Sequence, residues 1–203
     1  MKLRTSEGFT ILELMVTVVV LAIVMALAAP SFSSFVEKRA LTAAAEEITR
    51  FVEIGRSSAI KRNLPVRMMW DGSSGHSNDF CIGMSEGTAS CDCWETNPAA
   101  ADFCAVDGMA YRMEKTDFVR INSEFLHFKP ADGWFQFDPV QGHVARSSDS
   151  EVIDGDWLFY MHSDEGSGST RLYGLEIKLW ATGKTEICYQ NNRKIPLATY
   201  PLC

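Results

Sequence analysis

Between Phe9 and Ala29 the chain holds a single charge, Glu13, in an otherwise apolar run, FTILELMVTVVVLAIVMALAA. No other stretch limits the possible folds so strongly. As a helix rising about 1.5 Å per residue, it spans roughly 30 Å, the thickness of a bilayer core. Lys2 and Arg4 precede the run; the positive-inside rule keeps them cytoplasmic and places everything after Pro30 outside the cytoplasm. A secretory signal peptide is one reading, with Ala26-Leu27-Ala28 as an A-x-A cleavage pattern, although signal cores usually stop at about 15 residues. A plain membrane anchor is the second. It explains the length but not the carboxylate, because acids inside such segments normally have a partner.

A third reading supplies that partner. The string Gly8-Phe9-Thr10-Ile11-Leu12-Glu13-Leu14 closely resembles the processing site of type IV prepilins and type II secretion pseudopilins. The resemblance implies cleavage between Gly8 and Phe9 by a prepilin peptidase, followed by methylation of the new amine on Phe9. It also assigns Glu13 to the fifth mature position and Pro30 to the position of the family's helix-kinking proline. The chemistry is consistent with this: an α-amino group is largely protonated near neutral pH. In a filament of the kind the resemblance implies, Glu13 of one subunit can pair with the Phe9 amine of its neighbour, so that each charge would offset the other's desolvation and set axial register. An intact Glu13 favours a position below the extreme filament tip, where a neighbour's amine needs a partner.

Beyond Pro30 the apolar positions Phe32, Val36, Leu41, Ala44, Ala45, Ile48, Phe51, Val52 and Ala59 recur mainly at helical spacing, with Glu37, Lys38, Arg39, Glu46, Glu47, Arg50 and Glu53 between them. This predicts an amphipathic half-helix whose apolar stripe packs on a sheet. Pro65 disfavours helical geometry at Leu64 and ends it. The expected organisation is a leader over residues 1–8, a membrane helix over 9–29, the amphipathic half of the stem over 30–64, and a β domain over 65–203.

Strand signals follow Pro65. Val66–Trp70, Phe118–Ile121, Glu124–Phe128, Gly133–Asp138, Trp157–Met161, Leu172–Trp180 and Lys184–Tyr189 are candidates, with Gly166-Ser167-Gly168-Ser169 as a hairpin turn. A helix followed by antiparallel hairpins implies an α+β chain, and with the leader resemblance a pilin fold: a long N-terminal helix on antiparallel sheet. Residues 71–110 read as a Cys-rich insertion. Phe135–Gly142 (Phe-Gln-Phe-Asp-Pro-Val-Gln-Gly) resembles the strand-turn of the H-type minor pseudopilin and the FimT/FimU-like minor pilins. The segment Leu179–Cys188 resembles their closing hairpin, in which a turn glycine, here Gly183, precedes a basic residue, Lys184.

All six cysteines, Cys81, Cys91, Cys93, Cys104, Cys188 and Cys203, follow the apolar run. In an exported domain an even count reads as disulfides. Cys188 ends the last strand candidate and Cys203 is the final residue, so a bridge between them would pin the intervening tail as a loop displaying Tyr189, Arg193, Lys194 and Tyr200. Cys91 and Cys93 are too close for an easy mutual bridge, so each is expected to pair with Cys81 or Cys104. Zinc is the rival, but the two C-x₂-C knuckles are missing.

No cofactor, metal or catalytic site is expected. His76, His127, His143 and His162 lie away from any recognisable nucleophile motif. Asp71, Asp79, Asp92 and Asp102 lack EF-hand spacing and read as solvated turn acids. The function implied is that of a minor pilin or pseudopilin, a structural subunit of a secretion pseudopilus or type IV pilus. Its partners would be other pilins, the prepilin peptidase and an inner-membrane assembly platform. The mature chain would stand in the bacterial inner membrane by one span, its domain in the periplasm, before assembly. The alternative is a pilus-tip subunit that binds DNA, with Lys184, Arg193 and Lys194 as contacts. The net charge of −7 opposes it, and removing residues 1–8 makes the chain one unit more negative. The family's DNA-binding members typically carry Gly-Arg-x-Arg at the last turn, where this chain has Gly183-Lys184-Thr185-Glu186.

Overall fold

The computed structural model describes residues 10–71, 80–114, 126–128, 132–147, 156–164, 171–189 and 200–203. One helix, α1, runs over Ile11–Arg62. The chain divides into two compact units, Met1–Glu37 and Lys38–Cys203.

In the first unit, Thr10 caps α1. Its carbonyl accepts the first helical bond from Leu14 N–H at 3.1 Å, and its Oγ1 accepts Glu13 N–H at 3.2 Å. This satisfies one of the donors that every helix start leaves open. From Ile11 to Met25 the large apolar side chains are exposed on all sides of the helix, including Leu14, Val18, Leu21 and Met25. Among the described residues, no helix is long and apolar enough to cross a membrane. Pro30 falls within α1, at a position whose side chain lies outside the described residues.

The second unit begins with the amphipathic part of α1. Leu41, Ala44, Ala45, Ile48, Phe51, Val52 and Ala59 are buried as their spacing predicts, whereas Phe32 and Val36 fall outside the described side chains. The helix ends in a Schellman arrangement: Leu64 N–H donates to Ala59 O, Asn63 N–H donates to Ile60 O, and Asn63 takes a left-handed φ of 52°. Arg62 then ties this end to Glu86 and Asp107 by ion pairs.

Among the described residues the strands that follow are β1 (Val66–Asp71), β2 (Cys81–Glu86), β3 (Ala105–Val106), β4 (Met109–Ala110), β5 (Arg112–Glu114), β6 (Leu126–Phe128), β7 (Asp132–Phe137), β8 (Val144–Ser147), β9 (Asp156–Asp164), β10 (Arg171–Leu179) and β11 (Thr185–Tyr189). They form a five-stranded sheet in the order β5-β2-β1-β7-β8, a four-stranded sheet in the order β11-β10-β9-β6, and the small pair β3-β4. All pairings between these strands are antiparallel. The fold is α+β, a helix on antiparallel sheet, consistent with a pilin fold.

Alternation along the central strands separates two faces. Val66, Met68, Trp70, Ile82, Met84, Phe135 and Phe137 join the helix residues in the main core, together with Leu175, Ile177 and Leu179 of β10. Burying each large apolar side chain contributes about 1.5–3 kcal/mol, so this one face dominates stability. Phe135 and Phe137 meet edge to face with ring centroids 5.2 Å apart. On the opposite face, Cys81, Cys93 and Cys104 form a second buried cluster with Cys91 and Trp94 beside it.

The segment read as a Cys-rich insertion, residues 71–110, carries a strand that was not among the candidates. Its Cys81–Glu86 portion is β2, paired with β1 from Val66↔Glu86 to Asp71↔Cys81. Cys81 belongs to the cysteine cluster and Gly83 abuts it, and the small or sulfur-bearing residues Cys81, Gly83 and Ser85 hide a strand whose core positions are Ile82 and Met84. The β8 strand was not anticipated either. The Phe118–Ile121 candidate and the 166–169 turn lie outside the described residues, and the Glu124–Phe128 candidate is represented by β6.

Candidate functional site

The cleavage pair Gly8 and Phe9 lies outside the described residues. Glu13 does not: it sits in the first turn of α1, where a carboxylate is favoured by the helix dipole. Its backbone is held by Thr10, and its exposed carboxylate has no partner among the described residues. Thr10 and Glu13 form the T-x-x-E pattern of a capping box, a sequence signal for a helix start at this point. The arrangement presents one carboxylate, on a fixed first turn, at the border of an exposed apolar helix. Such a group can pair with a cation brought to it by another molecule.

The cysteines are all bridged: Cys81–Cys93, Cys91–Cys104 and Cys188–Cys203, with Cα separations of 5.7, 5.0 and 5.0 Å. Cys91 and Cys93 thus pair outward to Cys104 and Cys81, and the Cys188–Cys203 bridge is present as expected. Gly83 makes room for the first two. A Cβ there would strike the Cys104 sulfur and approach the Cys93 Cβ to 3.0 Å. The group Glu176, Cys188 and Cys203 is close enough to suggest a metal, but both sulfurs are spent in a disulfide and offer no thiolate.

The tail does not display its tyrosines as expected. Tyr189 and Tyr200 pack against the main core, and Tyr200 donates its phenol to Glu46 Oε1 at 2.9 Å. Burial, the hydrogen bond to Glu46 and its charge together push the Tyr200 phenol up to about 12. Leu202 bridges Tyr189 in parallel, with Tyr189 N–H donating to Pro201 O at 2.9 Å and Cys203 N–H to Tyr189 O at 3.0 Å. Arg193 and Lys194 lie outside the described residues.

The two turn motifs, more than forty positions apart in the sequence, meet in space. After β7 the chain turns at Asp138, whose carboxylate accepts the N–H groups of Val140 (2.8 Å), Gln141 (3.2 Å) and His143 (3.1 Å). Burial works against ionisation of Asp138, but the bonds from Val140, His143 and Gln141 prevail and hold its carboxyl below the ordinary value. The turn delivers Gly142, with φ 66°, beneath α1, where its carbonyl accepts Arg56 Nε at 3.0 Å. Gly183, with φ 75°, closes on the same spot. A Cβ there would collide with Gly142 O and lie 2.9 Å from Arg56 Nε, and one on Gly142 would press on Ile60 and Arg56. Both glycines are therefore required by conformation and by space. Sequence inspection singled out both turns but not Arg56, which reads only as one charge among many on the stem. Lys184, beside Gly183, is exposed.

The remaining chemistry-bearing candidates are dispersed. His143 ends the Asp138 turn, His76 and Asp79 are outside the described residues, and His127 and His162 are placed only as positions in β6 and β9. Asp71 accepts Trp94 Nε1 at 3.1 Å, and Asp92 accepts Trp94 N–H at 2.9 Å.

Residues 3–29 match the family described as the prokaryotic N-terminal methylation motif. The matched stretch contains Gly8, Phe9, Thr10 and Glu13 and is typical of type IV pilin-like prepilin leaders. It supports a pilin-like or pseudopilin-like subunit, with processing by a prepilin peptidase and assembly with other pilins. No curated protein and no solved structure matches the chain significantly.

Proposed function

We propose that this chain is a minor subunit of a type II secretion pseudopilus or a type IV pilus, most similar in plan to the H-type pseudopilin and the FimT/FimU-like minor pilins. The methylation motif over residues 3–29 carries this reading. Before assembly the subunit is held in the inner membrane by the 9–29 run, with its domain in the periplasm, where the three disulfides form. Cleavage after Gly8 frees the Phe9 amine, which is methylated. In the filament each Glu13 meets the amine of a neighbour. The exposed apolar surface from Ile11 to Met25 supports the same reading, since lipid first and neighbouring stems afterwards would cover it. The work is structural, with no catalytic step.

Intact-mass measurement of membrane-extracted protein tests the core of this proposal. The expected mass lacks residues 1–8 and carries one added methyl group. A mature chain beginning at Ala29 or Pro30 would instead establish a cleaved signal peptide. For the secretion role, deletion of the gene should reduce export of the system's substrates while leaving those substrates in the periplasm.

A further inference from the structure

A groove of about 390 Å³ lies between the last turns of α1 and the β10–β11 turn, walled by Glu53, Arg56, Ile60, Lys61, Lys184 and Thr185. Pockets that hold specific ligands start at about 300 Å³, so the groove has room for a short peptide segment rather than a globular partner. Three of its walls are cationic in a chain whose net charge is −7. Lys61 and Lys184 are exposed, and neither has an ion-pair partner among the described residues.

Arg56 is the distinctive element. Its Nε is fixed by the Gly142 carbonyl at 3.0 Å, and its two terminal nitrogens have no hydrogen-bond partner among the described residues. A guanidinium clamped at one side and open at its end is pre-organised to receive a carboxylate through two parallel N–H bonds. The clamp depends on both turn glycines, because a side chain at Gly142 or Gly183 would occupy the space Arg56 uses. Thr185 Oγ1, in the same wall, is buried without a hydrogen-bond partner among the described residues. The exposed Ile60 side chain provides an apolar strip beside these polar groups.

We propose that this groove docks an acidic peptide segment of a partner protein, with Arg56 receiving a carboxylate end-on and Lys61 and Lys184 holding flanking acids. Charge complementarity selects the occupant. Nucleic acid fits less well, because Glu53 stands in the wall and an overall acidic domain repels a phosphate chain that extends past a short groove. A peptide with a few carboxylates carries its charge only within the groove and avoids that repulsion.

The test uses the full-length processed protein in detergent micelles near physiological salt. The probe is a labelled hexapeptide with Asp-Glu-Glu-Asp between blocked terminal glycines, and its Asn/Gln counterpart is the control. The acidic peptide should bind saturably and the amide peptide should not. Changing Lys61 and Lys184 together to Ala should weaken binding about tenfold or more. Both side chains are exposed, so this variant should keep the wild-type melting curve. Arg56→Lys, which keeps the charge and loses the fork, should also weaken binding, and Arg50→Ala, a cation outside the groove, should not. The proposal is overturned by absent or non-saturable binding, by equal binding of the amide peptide, or by an equal loss with Arg50→Ala. It is also overturned if a single-stranded oligonucleotide binds more tightly than the peptide and is lost with the same variants, which would make nucleic acid the ligand.

Discussion

Tyr200 and Glu46 share a 2.9 Å hydrogen bond across 154 residues of sequence, joining the tail after the last strand to the middle of the stem helix. The bond accompanies packing of the tyrosine ring against the core, so polar and apolar attachment coincide. Tyr200→Phe keeps the ring and removes the donor. It should cost about 1 kcal/mol, the usual net value of one hydrogen bond, in denaturant unfolding of the full chain. The phenol's folded value of about 12 lies above its ordinary 10.0. Its contribution to stability is therefore complete below pH 10.0 and lost as pH rises through about 12. Phenol absorbance titration should show a late-titrating tyrosine that Tyr200→Phe removes.

Cys188→Ser combined with Cys203→Ser should free the tail. The bridge closes a loop with a sequence separation of 15, for which chain-entropy reasoning gives about 3 kcal/mol. Limited proteolysis should then cut after β11 at rates well above wild type, with the rest of the domain intact. Unchanged protease resistance would mean that the Tyr189 and Tyr200 contacts hold the tail without the disulfide.

Gly83→Ala tests the fit between β2 and the cysteine cluster. The added methyl meets Cys104 and Cys93 rather than open space, and overpacking of this kind costs about 1–3 kcal/mol. Peptide mapping without reduction should show fewer molecules with Cys91–Cys104 correctly closed. Gly87→Ala is the contrast: no heavy atom lies within 4 Å of its Cβ position, so any loss there reflects only its φ of 82°.

Asp138→Asn should destabilise the turn that delivers Gly142 to Arg56, by about 1–2 kcal/mol, since it weakens acceptance of three backbone donors. Because the folded carboxyl lies below its ordinary value of 3.8, its contribution is present above that pH and disappears as pH falls through the lower folded value. Wild type and Asp138→Asn should therefore converge in stability on acidification. A constant difference down to strongly acidic pH would show that the charge of Asp138 is not what holds the turn.

The parts of this molecule legible in the sequence were those with strong local periodicity or fixed spacing. The apolar stripe from Leu41 to Ala59, the stop before Pro65 and the strands around Val66–Trp70, Gly133–Phe137 and Leu172–Leu179 follow from alternation and helical repeat alone. The Cys188–Cys203 bridge followed from a cysteine at the end of the last strand candidate and another at the final residue. β2 escaped because half its face is built of Cys81, Gly83 and Ser85, residues typical of loops, and their reason for being there is a cluster contributed by Cys93 and Cys104. Arg56 escaped for a related cause. Its role is set by two glycines, Gly142 and Gly183, that are distant in sequence and brought to it only by the tertiary fold.

The pairing of the tail with Tyr189 bears on how many copies of this chain can crowd together without harm. β11 is the edge of its sheet, and a bare edge strand is a template on which another polypeptide can add and begin aggregation. Here the last residue of that edge has both backbone groups occupied, its N–H by Pro201 and its carbonyl by Cys203, and the neighbouring disulfide keeps the plug in place. At high local concentration the protein is thereby steered away from illegitimate strand addition at this point.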